Sequence, residues 1–133
     1  KLDGGTGIDT VEFTSDINLN FTDATVAGAT DVRNGAIENI EIFKLGAGNQ
    51  TLTLSHLDVI AMTGGKNTAI DNSAYQKGNV LVIDRAVGDS VDLSGGDWAV
   101  TATGETVNGG GSFSVYQHGS DNIFVAINEI TPA

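Results

Sequence analysis

The chain has 133 residues, 40% of them hydrophobic, which suits one domain with a buried core. Seventeen acidic residues against six basic ones give a net charge of −11, which argues against nucleic acid and anionic membranes as partners. The absence of cysteine excludes disulfides and thiolate zinc sites, and no apolar run approaches the roughly 18 residues of a membrane helix. Cations and neutral ligands such as sugars and peptides are left as the expected partners.

The first third of the chain has the pattern of short strands. Residues 11–14, 17–22 and 50–54 alternate apolar and polar side chains, as half-buried strands do. Between them, an apolar segment over residues 37–45 ends at the glycine turn 46–49. Turn signals recur near three positions, so we expect parallel rungs here: Gly5, Asn34 and Gly48.

One helix interrupts the strands. Ser55 is a favourable N-cap, and Asp58 lies three residues later, where its carboxylate can accept from first-turn amides. Apolar residues follow at helical spacing until Gly64 and Gly65 end the pattern. We predict a single short helix near residues 55–62.

Strands resume in the second half. Residues 79–84 are apolar on both faces, which predicts a central, covered strand. We expect antiparallel hairpins after residue 95, and we place strands at 90–93, 98–103, 112–116 and 123–127, with hairpin turns at 103–105 and 118–122. The predicted fold is therefore a single all-β domain over residues 1–133, either a β-sandwich or a short β-solenoid, with one short helix.

The most specific motif lies near the start of the chain. Residues 4–12, Gly4-Gly5-Thr6-Gly7-Ile8-Asp9-Thr10-Val11-Glu12, match the nonapeptide G-G-x-G-x-D-x-U-x at every defined position. Glycines permit tight left-handed turns that present carbonyl oxygens, and an aspartate adds a hard anionic oxygen, so the motif suits Ca²⁺. The predicted calcium ligands are Asp3, Gly4, Thr6 and Asp9. The alternative is an ordinary glycine-rich turn before a strand.

Further acidic residues recur at turns in the second half. They suit either a second cation site or side-chain caps of the turns, and they are Asp84, Asp89, Asp92 and Asp97. A third group of acidic residues is predicted to lie on solvated faces of strands or loops: Asp23, Asp31, Glu38 and Glu41.

The sequence offers little for catalysis. The two histidines, His56 and His118, are expected in an exposed first helical turn and in a hairpin turn. Neither G-x-S-x-G nor H-E-x-x-H occurs, so we predict that the chain is not an enzyme. Trp98 follows a turn and suits either an anchor at the edge of the core or a sugar platform.

Taken in order, these segments resemble a module found near the C-terminal end of giant RTX adhesins and related type I secreted proteins. The resemblance is carried by residues 3–10, 37–41, 46–55, 57–60, 80–84, 88–93 and 95–98. Residues 1–11 look like the last rung of an RTX β-roll, although that family shares each calcium between successive turns and only one complete nonapeptide is present here.

The resemblance implies a secreted protein of the bacterial cell surface that folds on calcium and serves adhesion or biofilm formation. Its expected partners are Ca²⁺ and adjacent domains of the same chain, and its expected role is to cap, position or help export the roll. An alternative is a module that uses calcium to bind a peptide or glycan on a host or neighbouring cell.

Overall fold

The fold is described by a computed structural model for residues 2–13, 17–20, 37–46, 49–63 and 67–129. The described residues form eleven strands, one α-helix and one 3₁₀ turn. In chain order these are β1 (Leu2–Asp3), β2 (Thr10–Phe13), β3 (Ile17–Asn20), β4 (Ile37–Glu38), β5 (Ile42–Leu45), β6 (Gln50–Leu54), α1 (His56–Met62), the 3₁₀ turn (Ser73–Tyr75), β7 (Asn79–Asp84), β8 (Ser90–Leu93), β9 (Trp98–Val107), β10 (Gly110–His118) and β11 (Ile123–Asn128). The predicted all-β class with one short helix is confirmed.

The first eight strands coil as a short β-solenoid. Rung 1 supplies β1, β2 and β3, rung 2 supplies β4, β5 and β6, and rung 3 supplies β7 and β8. Equivalent strands pair in parallel, as β1–β4, β2–β5–β7 and β3–β6–β8. The solenoid alternative, with parallel rungs early in the chain, therefore describes this part of the fold.

The last three strands extend only one side of the solenoid. β11 pairs in parallel with β7, and β10 and β9 then add antiparallel strands to give the sheet order β2-β5-β7-β11-β10-β9. The three-stranded sheet stops at β8, so the two sheets end at different heights. The predicted change to antiparallel hairpins after residue 95 is confirmed.

The core lies on both faces of the six-stranded sheet. On β7, Leu81 and Ile83 belong to the inner cluster, between the sheets and α1, whereas Val80 and Val82 belong to a second cluster on the outer face. All four side chains are at most 1% exposed. The prediction of a central strand covered on both faces is thus confirmed for residues 79–84.

The helix begins as its sequence predicts. The Ser55 amide donates to Asp58 Oδ2 at 2.7 Å, and the Ser55 Oγ accepts from the Asp58 amide at 3.4 Å, which forms a capping box. The helix ends at Met62 with Thr63 as C-cap, and the expected stop at residues 64–65 lies outside the described residues. Within the described ranges, no helix is long and apolar enough to cross a membrane.

The predicted hairpin turn at residues 103–105 is wrong. These residues lie inside β9, where Gly104 has φ 71° and the register with β10 shifts. The chain instead reverses at Asn108 and Gly109, whose φ angles are 50° and 78°. Asn-Gly is the preferred pair for a two-residue hairpin with both residues left-handed, so a signal for this turn was present in the sequence.

Candidate functional site

The glycine turn of rung 1 lies directly against rung 2. The Gly4 amide donates to the Glu38 carbonyl at 3.0 Å, and the Asp9 carbonyl accepts from the amides of Glu41 and Ile42 at 3.2 and 3.1 Å. These bonds close both ends of the turn onto residues 38–42. The turn is therefore built by contacts between two rungs rather than by its own sequence alone.

The turn leaves no space for a side chain at Gly4. A Cβ atom there would lie 2.3 Å from the Asn39 carbonyl oxygen and 2.7 Å from Asp9 Oδ2. Asn39 itself has φ 55°, an uncommon left-handed conformation for a residue with a side chain. Two oxygens from different rungs thus flank the α-carbon of Gly4.

The Glu41 carboxyl group lies against the backbone of Asp9. The Asp9 amide donates to Glu41 Oε2 at 2.7 Å, and the Glu41 residue is only 7% exposed. Asp9 Oδ2 is buried and accepts no hydrogen bond from the described residues. Burial raises the pKa of Glu41, and the negative charge of Asp9 acts in the same direction. Both effects disfavour the ionised form of Glu41.

The predicted ligands separate into three roles. Gly4 and Asp9 lie where the Asn39 carbonyl oxygen and Asp9 Oδ2 come together. The Asp3 Oδ1 accepts from the Gly5 amide at 2.9 Å and from Asn39 Nδ2 at 2.8 Å, so it braces the turn against rung 2. Thr6 is exposed at the tip of the turn.

Two residues of the site were missed by sequence reasoning. Glu41 was expected on a solvated face, and that expectation is wrong because rung 1 packs over it. Asn39 was not singled out either. A signal existed in the acid- and amide-rich segment 38–41, but its relation to the glycine turn depends on how the rungs stack.

The donor set fits calcium in chemistry. Ca²⁺ takes six to eight hard oxygen ligands from carboxylates and carbonyls, and an unpartnered buried carboxylate oxygen beside a carbonyl matches that preference. Among the described residues, no three or more histidine or acidic side chains gather at one point, so a cation here would also need backbone oxygens.

Within the described residues, the weaker acidic candidates do not form a group of three or more side chains that could hold a metal ion. Asp89 is 7% exposed, and its carboxylate accepts from the amides of Gln50 at 2.8 Å and Ala86 at 2.7 Å. Asp89 therefore caps a turn, which is one of the two roles predicted for these residues. Asp84 is half-buried at the end of β7, whereas Asp92 and Asp97 are exposed on β8 and in the turn after it.

The two histidines are packed against each other rather than exposed. Their rings stack with centroids 3.9 Å apart, and His118, which ends β10 rather than lying in a turn, is 8% exposed. His118 Nδ1 lies 3.1 Å from Asp121 Oδ2. In the described part of the chain, no hydroxyl group hydrogen-bonds to either imidazole, so the pair shows no nucleophile–base contact.

Comparison with known proteins adds no relative. No family model, no curated protein and no solved structure matches the chain.

Proposed function

We propose that this chain is a non-enzymatic β-solenoid module of a secreted bacterial adhesin of RTX type, which binds calcium where rung 1 meets rung 2. The carrying observation is the buried, unpartnered Asp9 Oδ2 beside the buried Glu41 carboxyl group. The nonapeptide at residues 4–12, which contains Asp9, suits the same metal.

Calcium would act on folding through charge. Without a cation, the carboxylate of Asp9 and the buried carboxylate of Glu41 repel each other and disfavour docking of rung 1. When bound, Ca²⁺ supplies positive charge and coordination at this junction. Asp9 and Glu41 would hold it through their carboxylates, and Asn39 would contribute its carbonyl oxygen. A module of this kind stays loosely folded where calcium is scarce and closes where it is abundant, which suits export followed by folding at the cell surface.

Calcium titration tests this proposal. Extracellular modules bind calcium with Kd values of about 0.1–1 mM, and a ligand at 100 times its Kd stabilises the folded state by about 2.7 kcal/mol. We therefore expect the melting temperature, followed by circular dichroism, to rise in 10 mM CaCl₂ relative to EGTA, with a smaller rise in MgCl₂.

A matched pair of variants locates the effect. Asp9→Asn removes one charge at the junction and should abolish most of the calcium-dependent rise, whereas Asp92→Asn alters an exposed acid on β8 and should leave it intact. Equal melting temperatures in calcium and chelator would contradict the proposal. An undiminished response in Asp9→Asn would place calcium elsewhere.

A second candidate function, recognition of a peptide or glycan, is favoured by a separate pocket beside Trp98.

A further inference from the structure

The end of the solenoid opposite the glycine turn carries a small pocket. The three-stranded sheet stops at β8, whereas the six-stranded sheet continues from β7 to β11, β10 and β9. This step leaves a cavity of about 200 Å³. Its lining residues are Arg85, Val91, Leu93, Trp98, Tyr116 and Ile127.

One wall of the pocket is aromatic, and the orientation of its tryptophan is fixed. Trp98 is half-buried against the inner core, and its Nε1 donates to the Ser94 carbonyl at 3.1 Å, which fixes the plane of the indole. Tyr116 adds a second ring with a hydroxyl group that can donate or accept a hydrogen bond. The remaining wall is aliphatic. Such a surface suits the apolar face of a ring that also carries polar groups.

Arg85 supplies the only cationic group of this lining, and the fold pins it in place. Its amide donates to Asn128 Oδ1 at 2.8 Å, its carbonyl accepts from Asn128 Nδ2 at 2.7 Å, and its Nε donates to the Asn128 carbonyl at 3.3 Å. The first two bonds hold the backbone of Arg85, and the third holds its side chain against β11 before any ligand arrives.

Among the described residues, the guanidinium group of Arg85 forms no ion pair. Within the described residues, no carboxylate lies within 4 Å of it, although the chain has 17 acidic residues against six basic ones. In so acidic a chain, an arginine beside aromatic rings that has no described carboxylate within 4 Å retains its capacity to bind an external anion. Arginine binds carboxylates through paired, parallel hydrogen bonds.

We propose that this pocket binds a carboxylate-bearing sugar ring of the uronic acid class. The carboxylate would pair with Arg85, the C–H face would lie against Trp98, and ring hydroxyls would reach Tyr116 and solvent. The cavity suits one pyranose ring, which favours a single acidic sugar residue over a peptide backbone with flanking residues. The net charge of −11 repels anions at long range, so we expect weak affinity, with a Kd on the order of 1 mM.

Trp98 makes the site directly measurable because it is the only tryptophan in the chain. We expect saturable changes in its fluorescence on titration with galacturonate or glucuronate, and at least a tenfold weaker response to galactose or glucose. N-acetylglycine, which carries a carboxylate without a sugar ring, serves as a probe for a peptide C-terminus. Comparable binding of the neutral sugars, or of N-acetylglycine, would overturn the assignment to uronic acids.

Variants tie the response to Arg85. Arg85→Gln should abolish it, and Arg85→Lys, which keeps the charge but loses the planar fork, should weaken it at least fivefold. Lys77→Gln removes an exposed cation outside the pocket and should bind as the parent does. Melting curves establish that each variant is folded. Unchanged uronate binding in a folded Arg85→Gln or Arg85→Lys variant would overturn the proposal.

The proposal does not rest on the calcium role of the glycine turn. The pocket shares no residue with that turn, so uronate binding should persist in EGTA and in Asp9→Asn wherever melting shows the protein to be folded. A failure of calcium binding and a failure of uronate binding are thus separate results.

Discussion

At the scale of single residues, the environment of Glu41 determines how the stability of the protein should depend on pH. Burial, together with the charge of Asp9, raises the pKa of its carboxyl group, so the folded protein takes up a proton at a higher pH than the unfolded chain. The resulting stability is fully present below the ordinary pKa of a glutamate and is lost as pH rises through the raised pKa. Calcium would replace the proton as the compensating charge.

This linkage predicts opposite pH trends with and without calcium. In EGTA, the melting temperature should increase as pH is lowered from 7 to about 5. Over the same range the affinity for calcium should fall, so its Kd should increase. Glu41→Gln should raise the melting temperature in EGTA at pH 7 and flatten its pH dependence, while weakening calcium binding.

Glu12→Gln provides the control because Glu12 is an exposed acid on the neighbouring β2. A Glu41→Gln variant as pH-dependent as Glu12→Gln would refute the assignment. The window stops near pH 5 because Glu129 acts oppositely below it. Hydrogen bonds from the Ser112 hydroxyl, the Gly104 amide and the Ser114 hydroxyl lower the pKa of Glu129, so its contribution is lost as pH falls through that lowered value.

At the scale of elements, local signals decide where the chain turns. The β9–β10 hairpin depends on two successive left-handed residues, Asn108 and Gly109. Gly110 follows them with an ordinary φ angle, and a Cβ atom at either glycine would meet no neighbouring atom within 4 Å. The two glycines therefore differ in backbone conformation but not in steric surroundings.

We expect Gly109→Ala to destabilise the protein by about 1–2 kcal/mol, because a side chain disfavours the left-handed conformation. Gly110→Ala should be neutral or stabilising by up to about 1 kcal/mol, through lower entropy of the unfolded chain. Urea unfolding of the two variants measures the difference. Equal losses would show that the turn conformation is not what requires glycine at position 109.

At the scale of the whole molecule, the rungs are joined by one inner core. Val125 on β11 packs there with residues from β5, β6, β7 and α1, and it is fully buried. Val87 lies in the turn before β8 and is 78% exposed. The same substitution at the two positions therefore compares burial in the shared core with exposure to solvent.

Val125→Ala should lower the free energy of unfolding by about 2–3 kcal/mol, the sum of lost burial and a residual cavity, whereas Val87→Ala should change it by less than about 0.5 kcal/mol. Chemical denaturation followed by circular dichroism provides both values. A similar small effect of both substitutions would argue that β11 is not part of the common core.

Structural features that are set by residues close together in the sequence could be predicted. Ser55 and Asp58 cap the helix three residues apart, and the apolar run at residues 79–84 became the central strand. The Asn108–Gly109 turn was also predictable but was missed in favour of Gly104. By contrast, the burial of Glu41 and the stacking of His56 on His118 could not be read from their neighbours, because residues far away in sequence create both environments.

The sequence by itself determined the secondary structure class, the position of the helix and the glycine turn with its aspartate, since periodicity, capping and backbone freedom are local properties. Only the tertiary structure decided which groups complete each site. Asp9 meets Glu41 across 32 residues, and Arg85 is held by Asn128 across 43. Both pairings follow from how rungs stack and where each sheet ends, and these depend on the packing of the whole core.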